Sequence, residues 1–210
     1  ATGTITIDLT GLNVGIDDLT TNSLSPELTG SIDDPEATVI VTIGDNDYNA
    51  TNNGDTWTLA ADTLTGLVEG EVEVTVTAND EAGHTDSATT TINIDTTVPD
   101  VTVDDLTTND STPVFTGTID DPTAVVTVTI AGTAYTAVNN TNGTWTLDDS
   151  TIPALSEGVL DISVSAADAA GNTDDATGTI TIDLTGLNVG IDDLTTNSLS
   201  PELTGSIEDP

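Results

Sequence analysis

Apolar and polar residues alternate along this chain in short stretches, and clusters of Gly, Asn, Asp and Pro separate them. Val126, Val128 and Ile130 fall on one face while Thr127 and Thr129 fall on the other, the period of two expected of a half-buried strand. Reading residues 95–182 this way predicts seven strands. Val101 and Val103 open the first, which ends at a polar Thr107–Thr112 turn. Phe115, Gly117 and Ile119 mark the second, closed by Asp120-Asp121-Pro122, and Val126 to Ile130 form the third. Ala131-Gly132 turns into a fourth around Tyr135, and the turn from Asn139 to Gly143 leads to a fifth with Trp145 and Leu147. After a connection from Ile152 to Gly158, Ile162, Val164 and Ala166 form the sixth, ending at Asp168. A loop from Ala169 to Asp174 precedes the seventh, with Ile180 and Ile182. Seven short strands around one apolar-flanked Trp suggest an immunoglobulin-like sandwich.

The same pattern recurs. Residues 176–210 repeat residues 1–35 with one change, Asp33 becoming Glu208, at an offset of 175. A diverged copy lies halfway: Asp17-Asp18-Leu19-Thr20-Thr21-Asn22 returns as Asp104-Asp105-Leu106-Thr107-Thr108-Asn109 at an offset of 87, and Trp57 returns as Trp145 at 88. The expected architecture is all-β, with tandem immunoglobulin-like β-sandwich modules of about 87–88 residues joined by short acidic linkers. The expected boundaries are 1–7 (last strand of a preceding module), 8–94 (module 1), 95–182 (module 2) and 183–210 (first strands of a third module). On this reading the chain is a window from a longer repetitive protein.

Composition supports a folded chain despite its charge. Leu, Ile, Val and Phe make up 52 of the 210 residues, a quarter of the chain and above the roughly 20% below which disorder is the default. The 37 Asp and Glu residues meet no Lys or Arg, giving a formal charge of −37. A chain with no side-chain cation other than one His has nothing with which to neutralise phosphates, which excludes nucleic acid, nucleotide phosphates and anionic lipid surfaces as partners. The absence of Cys excludes disulfides and thiolate chemistry and suits a secreted bacterial protein. No apolar run approaches the 18 residues or so of a membrane span.

The position of the carboxylates suggests a cation. If successive strands alternate in direction, the loops after the second and sixth strands lie at the same end as the incoming linker. Asp95, Asp120 with Asp121, and Asp168 then converge there. The same set recurs as Asp8, Asp33 with Asp34, and Asp80, and begins again as Asp183 and Glu208 with Asp209. Carboxylates held close together repel one another unless a cation lies between them, and all-oxygen donors favour Ca²⁺ over Zn²⁺ or copper.

The run Asp95 … Leu106-Thr107 … Thr112-Pro113 … Gly117-Thr118-Ile119-Asp120-Asp121-Pro122, with Gly143-Thr144-Trp145, Glu157-Gly158 and Asp168-Ala169-Ala170-Gly171-Asn172, resembles the bacterial immunoglobulin-like repeats of giant surface adhesins of the repeats-in-toxin and biofilm-associated type. The resemblance covers essentially the whole chain. It implies extender modules on the bacterial cell surface, outer-membrane-anchored elsewhere in the chain, that hold a distal adhesive domain away from the cell and are stiffened by Ca²⁺ at their junctions. The implied ligands are Asp95, Asp120 or Asp121, and Asp168, with counterparts Asp8, Asp33 or Asp34, and Asp80. The implied partners are adjacent modules of the same chain. Two linker sequences, Asp8 to Asn13 and Asp95 to Asp100, and His84 in the place of Asn172, imply two types of junction.

Other signals are weaker. Asp45-Asn46-Asp47 opens like an EF-hand loop, but Ala50 and Thr56 stand where Gly and Glu are needed, so a hairpin turn is expected. His84 is the single imidazole and its counterpart is Asn172, which argues against an enzyme. Asp17-Asp18 and Asp104-Asp105 read as solvated, or as part of the next junction. The alternative functions are modules that themselves bind a glycan, receptor or surface, and a subunit of a self-assembling extracellular filament. The two Trp, two Tyr and one Phe of the whole chain offer little stacking surface.

Overall fold

The computed structural model describes Gly3, Ile7 and residues 9–208. Its contacts divide the chain into two compact units, residues 1–98 together with 168–172, and residues 99–167 together with 173–210. Each unit is built around its own apolar cluster.

In the first unit the strands are β1 (Thr20–Thr21), β2 (Leu28–Ser31), β3 (Thr38–Ile43), β4 (Asn46–Asn52), β5 (Thr56–Leu59), β6 (Gly70–Asn79) and β7 (Thr85–Ile94), in the order β1-β7-β6-β3-β4-β5-β2. Strand β4 links the two layers: Asn46 to Ala50 pair with β3, and Thr51 and Asn52 pair with β5. The second unit repeats this plan with β8 (Leu106–Thr108), β9 (Phe115–Thr118), β10 (Val125–Ile130), β11 (Thr133–Thr136), β12 (Val138–Asn139), β13 (Thr144–Leu147), β14 (Gly158–Ala167) and β15 (Thr173–Ile182). Its layers are β11-β10-β14-β15-β8 and β12-β13-β9. The remaining strands, β16 (Asn188–Ile191) and β17 (Gly205–Glu208), form an antiparallel pair that repeats the start of the plan.

The alternation of the sequence becomes the burial pattern. Val39, Val41 and Ile43 of β3 are buried, as are Val126, Val128 and Ile130 of β10, and polar or half-buried residues lie between them. Trp57 and Trp145 are 0% exposed and fill the centre of their cores. Each indole N–H donates to a carbonyl of the first strand segment, Trp57 to Gly15 at 2.7 Å and Trp145 to Thr102 at 2.8 Å. Gly30 and Gly117 make this lock possible. A Cβ on either would stand 2.0 or 2.1 Å from that same carbonyl oxygen and 2.6 Å from the indole nitrogen.

Two expectations are corrected. The first strand does not end at a Thr107–Thr112 turn: Leu106 to Thr108 form β8 and pair in parallel with Ile180 to Ile182 of β15. The segment therefore crosses between layers, bridging Val101 to Ile119 first and then joining β15. The seventh strand begins at Thr173, so the preceding loop ends at Asn172 rather than Asp174. The Asp pairs read as solvated are exposed, and they also fasten the crossing segment to both layers. Asp17 Oδ2 accepts from Thr29 of β2 and Asp18 Oδ1 from Thr90 of β7. In the second unit Asp104 Oδ2 accepts from Thr116 of β9, and Asp105 Oδ1 accepts from the Thr179 N–H of β15.

Candidate functional site

The antiparallel pairing of β3 with β6 and of β2 with β5 carries the loops after β2 and β6 to the same end of the first unit. There Asp33, Asp34 and Asp80 line one cavity of about 440 Å³ together with Thr10, Gly11, Leu12 and Pro35. The structure thus brings together three of the carboxylates singled out in the sequence, beside the linker. Asp8 lies outside the described residues, as does Asp209.

The two Asp of each pair have different partners. Asp33 grips the linker: its Oδ1 accepts from the Asn13 backbone N–H at 2.8 Å, its Oδ2 accepts from Asn13 Nδ2 at 2.6 Å, and its own N–H donates to the Asn13 carbonyl at 3.2 Å. The bond from the Asn13 side chain, followed by that from its backbone, holds the Asp33 carboxyl below the ordinary aspartate value of 3.8. Asp120 repeats the grip, accepting from the Asp100 N–H at 2.7 Å and donating to its carbonyl at 3.3 Å. Asp34 and Asp121 instead brace their own turns, accepting from the N–H groups of Glu36 and Thr123. Asn52 and Asn139 fix those turns from the neighbouring strand, each donating to two carbonyls, Asp34 and Ala37 in one unit, Asp121 and Ala124 in the other.

Asp80 and Asp168 are wrapped by their loops. Asp80 Oδ1 accepts from the Gly83 and His84 N–H groups at 2.7 and 2.8 Å, and Oδ2 lies 2.6 Å from His84 Nδ1. Asp168 Oδ1 accepts from Gly171 and Asn172 N–H, and Oδ2 from Asn172 Nδ2, at 2.7 to 2.8 Å. Burial works to raise both carboxyls. The side-chain bond from His84 or Asn172 and the backbone N–H donors outweigh it, and both lie below 3.8. Within the first unit Asn172 also donates to the Asp95 carbonyl at 2.8 Å, and the Ala170 carbonyl accepts from the Asn22 N–H at 3.0 Å. The Asp95 and Asp183 carboxylates brace their linkers by accepting from Thr97 and Thr185. Glu208 is exposed at the end of β17.

Two acids at this end escaped sequence reading. Asp86 Oδ2 accepts from the Val14 N–H at 2.9 Å, and Asp174 Oδ2 from the Val101 N–H at 3.0 Å. They repeat at an offset of 88, which was a usable signal. The chain entering each of the two domains is thus gripped by two carboxylates, one from the loop after the second strand and one from the start of the last strand.

The donors here are oxygens, and the chain holds no Lys or Arg to neutralise them, which fits the chemistry of a hard divalent cation. Among the described residues, however, no three His, Cys, Asp or Glu side chains are gathered closely enough to hold a metal ion. Their oxygens are bonded instead to backbone N–H groups and to the Asn13, His84 and Asn172 side chains.

The repeat, the two-layer topology and the buried Trp point to one group of domains. The bacterial Ig-like domain family matches residues 6–96 and 100–184, in two tandem copies. The chain belongs to this family. Comparison with curated proteins gives no match. Among solved structures, the two bacterial Ig-like domains resemble the fibronectin(III)-like modules of CbhA from Clostridium thermocellum, with 16% identity, a TM-score of 0.53, and 81% of this chain and 94% of that chain covered. A tetra-tandem repeat in the extending region of a large adhesion protein is 21% identical, with a TM-score of 0.36 over 94% of this chain and 62% of that one. A Ca²⁺-stabilised adhesin of an Antarctic, ice-binding bacterium is 23% identical, with a TM-score of 0.37 over 82% and 48%.

Proposed function

We propose that this chain is a stretch of the extender, or stalk, of a large bacterial surface adhesin, extracellular and non-enzymatic, whose domains add length and project an adhesive domain located elsewhere. The observation that carries the proposal is topological. In each domain the first and last strands run parallel, β1 beside β7 and β8 beside β15. The chain therefore enters a domain at one end and leaves it at the other, and each repeat adds its own length, on the order of 40 Å for strands of about ten residues with their loops. A pull along the chain also loads these parallel hydrogen bonds together, in shear. Near-identity at an offset of 175 supports a role in which repetition itself is the product.

The second part of the proposal is that Ca²⁺ stiffens the array. Asp33, Asp34 and Asp80, with the linker residue Asp8, would hold the ion in the first domain. By the repeat, Asp120, Asp121 and Asp168 with Asp95 would do so in the next, and Asp183, Glu208 and Asp209 begin a third set. Bound there, the ion supplies positive charge among carboxylates that otherwise repel one another. The chain's own residues do the rest: Asp33 and Asp120 fix the linker to the β2 and β9 loops, and Asp80 and Asp168 are pre-oriented by backbone N–H groups. Calorimetric titration of the chain with CaCl₂ tests this. Heat of binding that is reduced in Asp80→Asn and Asp168→Asn is expected. A chain that takes up no calcium at millimolar concentration contradicts it.

A further inference from the structure

Each domain carries one Asn-Gly step, Asn53-Gly54 in the first and Asn142-Gly143 in the second. The fold treats them differently. In Asn-Gly steps the backbone nitrogen of Gly can attack the Asn side-chain carbonyl carbon. A bond forms between Gly N and Asn Cγ, the Gly nitrogen gives up its proton, and the Asn amide leaves as ammonia. Water then opens the resulting succinimide at either carbonyl, leaving aspartate or isoaspartate.

In the first domain the nucleophile is restrained, because the Gly54 N–H donates to Asn52 Oδ1 at 2.9 Å. In the second domain the turn is one residue longer. The homologous side chain, Asn139, holds the Thr141 N–H instead, at 3.1 Å, and Gly143 N–H lies outside that bond. The electrophile is also prepared there. Asn142 Oδ1 accepts from the Thr144 hydroxyl at 2.7 Å and from the Thr144 N–H at 3.2 Å. Donors on that oxygen stabilise the negative charge it gains as Gly143 N adds to the carbon, in the manner of an oxyanion hole. Asn142 and Gly143 are exposed, and Gly143 has φ +90°, so water reaches the site and no Cβ shields the attacking nitrogen.

We infer that Asn142 is a spontaneous deamidation site of the folded chain and that Asn53 is protected. The product places a new carboxylate at the end of the second domain that carries Asp120 and Asp121. The Gly143 carbonyl accepts from the Ile119 N–H at 3.2 Å, and Asn139 of the same hairpin donates to the Asp121 carbonyl. The first domain already has an acid in the matching turn, Asp55, whose carbonyl accepts from the Ile32 N–H. The inference does not depend on the calcium reading.

The test is peptide mapping by mass spectrometry during incubation of the folded chain at mildly alkaline pH, with a parallel incubation in urea. In the folded chain Asn142 should gain the mass of deamidation on the order of tenfold faster than Asn53, since one restrained donor and two carbonyl donors separate them. In urea the two rates should converge. Thr144→Val, which keeps the Asn-Gly step and suits a strand, should slow Asn142 several-fold in the folded chain and leave the rate in urea unchanged. Equal rates in the folded chain, a faster Asn53, or a Thr144→Val rate equal to the parent's would overturn the inference.

Discussion

The two domains are built on one plan but differ in how firmly each part of it is held. Both keep the Trp–Gly lock, the paired Asp that fasten the crossing segment, and the double carboxylate grip on the linker. The differences lie elsewhere. The parallel pairing between first and last strands covers two residue pairs in the first domain and three in the second. The edge strand is continuous as β4 in the first domain but broken at Ala137 into β11 and β12 in the second. The hairpin after the third strand uses Gly44-Asp45 in one and Ala131-Gly132 in the other. His84 bonds Asp80 where Asn172 bonds Asp168. The lesson is that the features kept are those that define where the linker enters a domain and which way the chain leaves it, whereas edges and turns drift.

Breaking the lock gives the largest effect. Trp57→Ala or Trp145→Ala should destabilise its own domain by about 3–5 kcal/mol, read as a lower urea midpoint for that domain's amide protons in hydrogen exchange. Gly117→Ala should act in the same direction, because its Cβ has no room beside the Thr102 carbonyl. Equal loss of protection in both domains would show that the lock is not local.

The carboxylate grip comes next. Asp174→Ala leaves the Val101 N–H without its partner and should cost about 1 kcal/mol, with Asp86→Ala matching it in the first domain. Protonation should likewise weaken the bonds of three carboxylates at this end of the domains. Asp33, Asp80 and Asp168 have folded-state values depressed below 3.8, so their contribution is complete above the unfolded value and is lost as pH falls through the folded one. Thermal stability should therefore be level above about pH 5 and fall steeply below about pH 4. A Tm that does not change across that range would contradict the bonding described for these carboxylates.

The smallest effect sharpens the difference between hairpins. Two-residue hairpin loops favour residues that accept positive φ. Ala131 sits at φ +50° followed by Gly132 at +79°, whereas the first domain places Gly44 at +59° in the corresponding position. Ala131→Gly should stabilise the second domain by roughly 0.5–1 kcal/mol, the relief of an Ala held in the left-handed region. Gly44→Ala should destabilise the first by a similar amount. Chemical denaturation of the two variants measures both.

Much of this plan was legible in the sequence because the fold depends on side-chain alternation and repetition. The strand directions followed from the seven apolar runs, and they placed the Asp33-Asp34 and Asp80 loops at one end. What escaped was held by the backbone. Thr107 and Thr108 carry no apolar signal, yet they form β8 because their main chain pairs with Thr181 and Ile182. Thr173 to Thr179 alternate only small and polar residues, and they are strand because β14 pairs with them along its whole length. Asp86 and Asp174 escaped for a different reason: each lies one residue past the start of its last strand, where spacing shows only another polar residue, and only their N–H partners reveal the role. The same hydrogen bonds distinguish the two Asp of each pair, which spacing alone left equivalent.

In the proposed function these domains form an extender stiffened by calcium. Small-angle X-ray scattering of the chain, titrated from EDTA into millimolar CaCl₂, tests it most directly. The expected result is a maximum dimension that rises to the end-to-end length of domains in line, with a profile that sharpens toward that of a rod. A profile that is the same with and without calcium would contradict it.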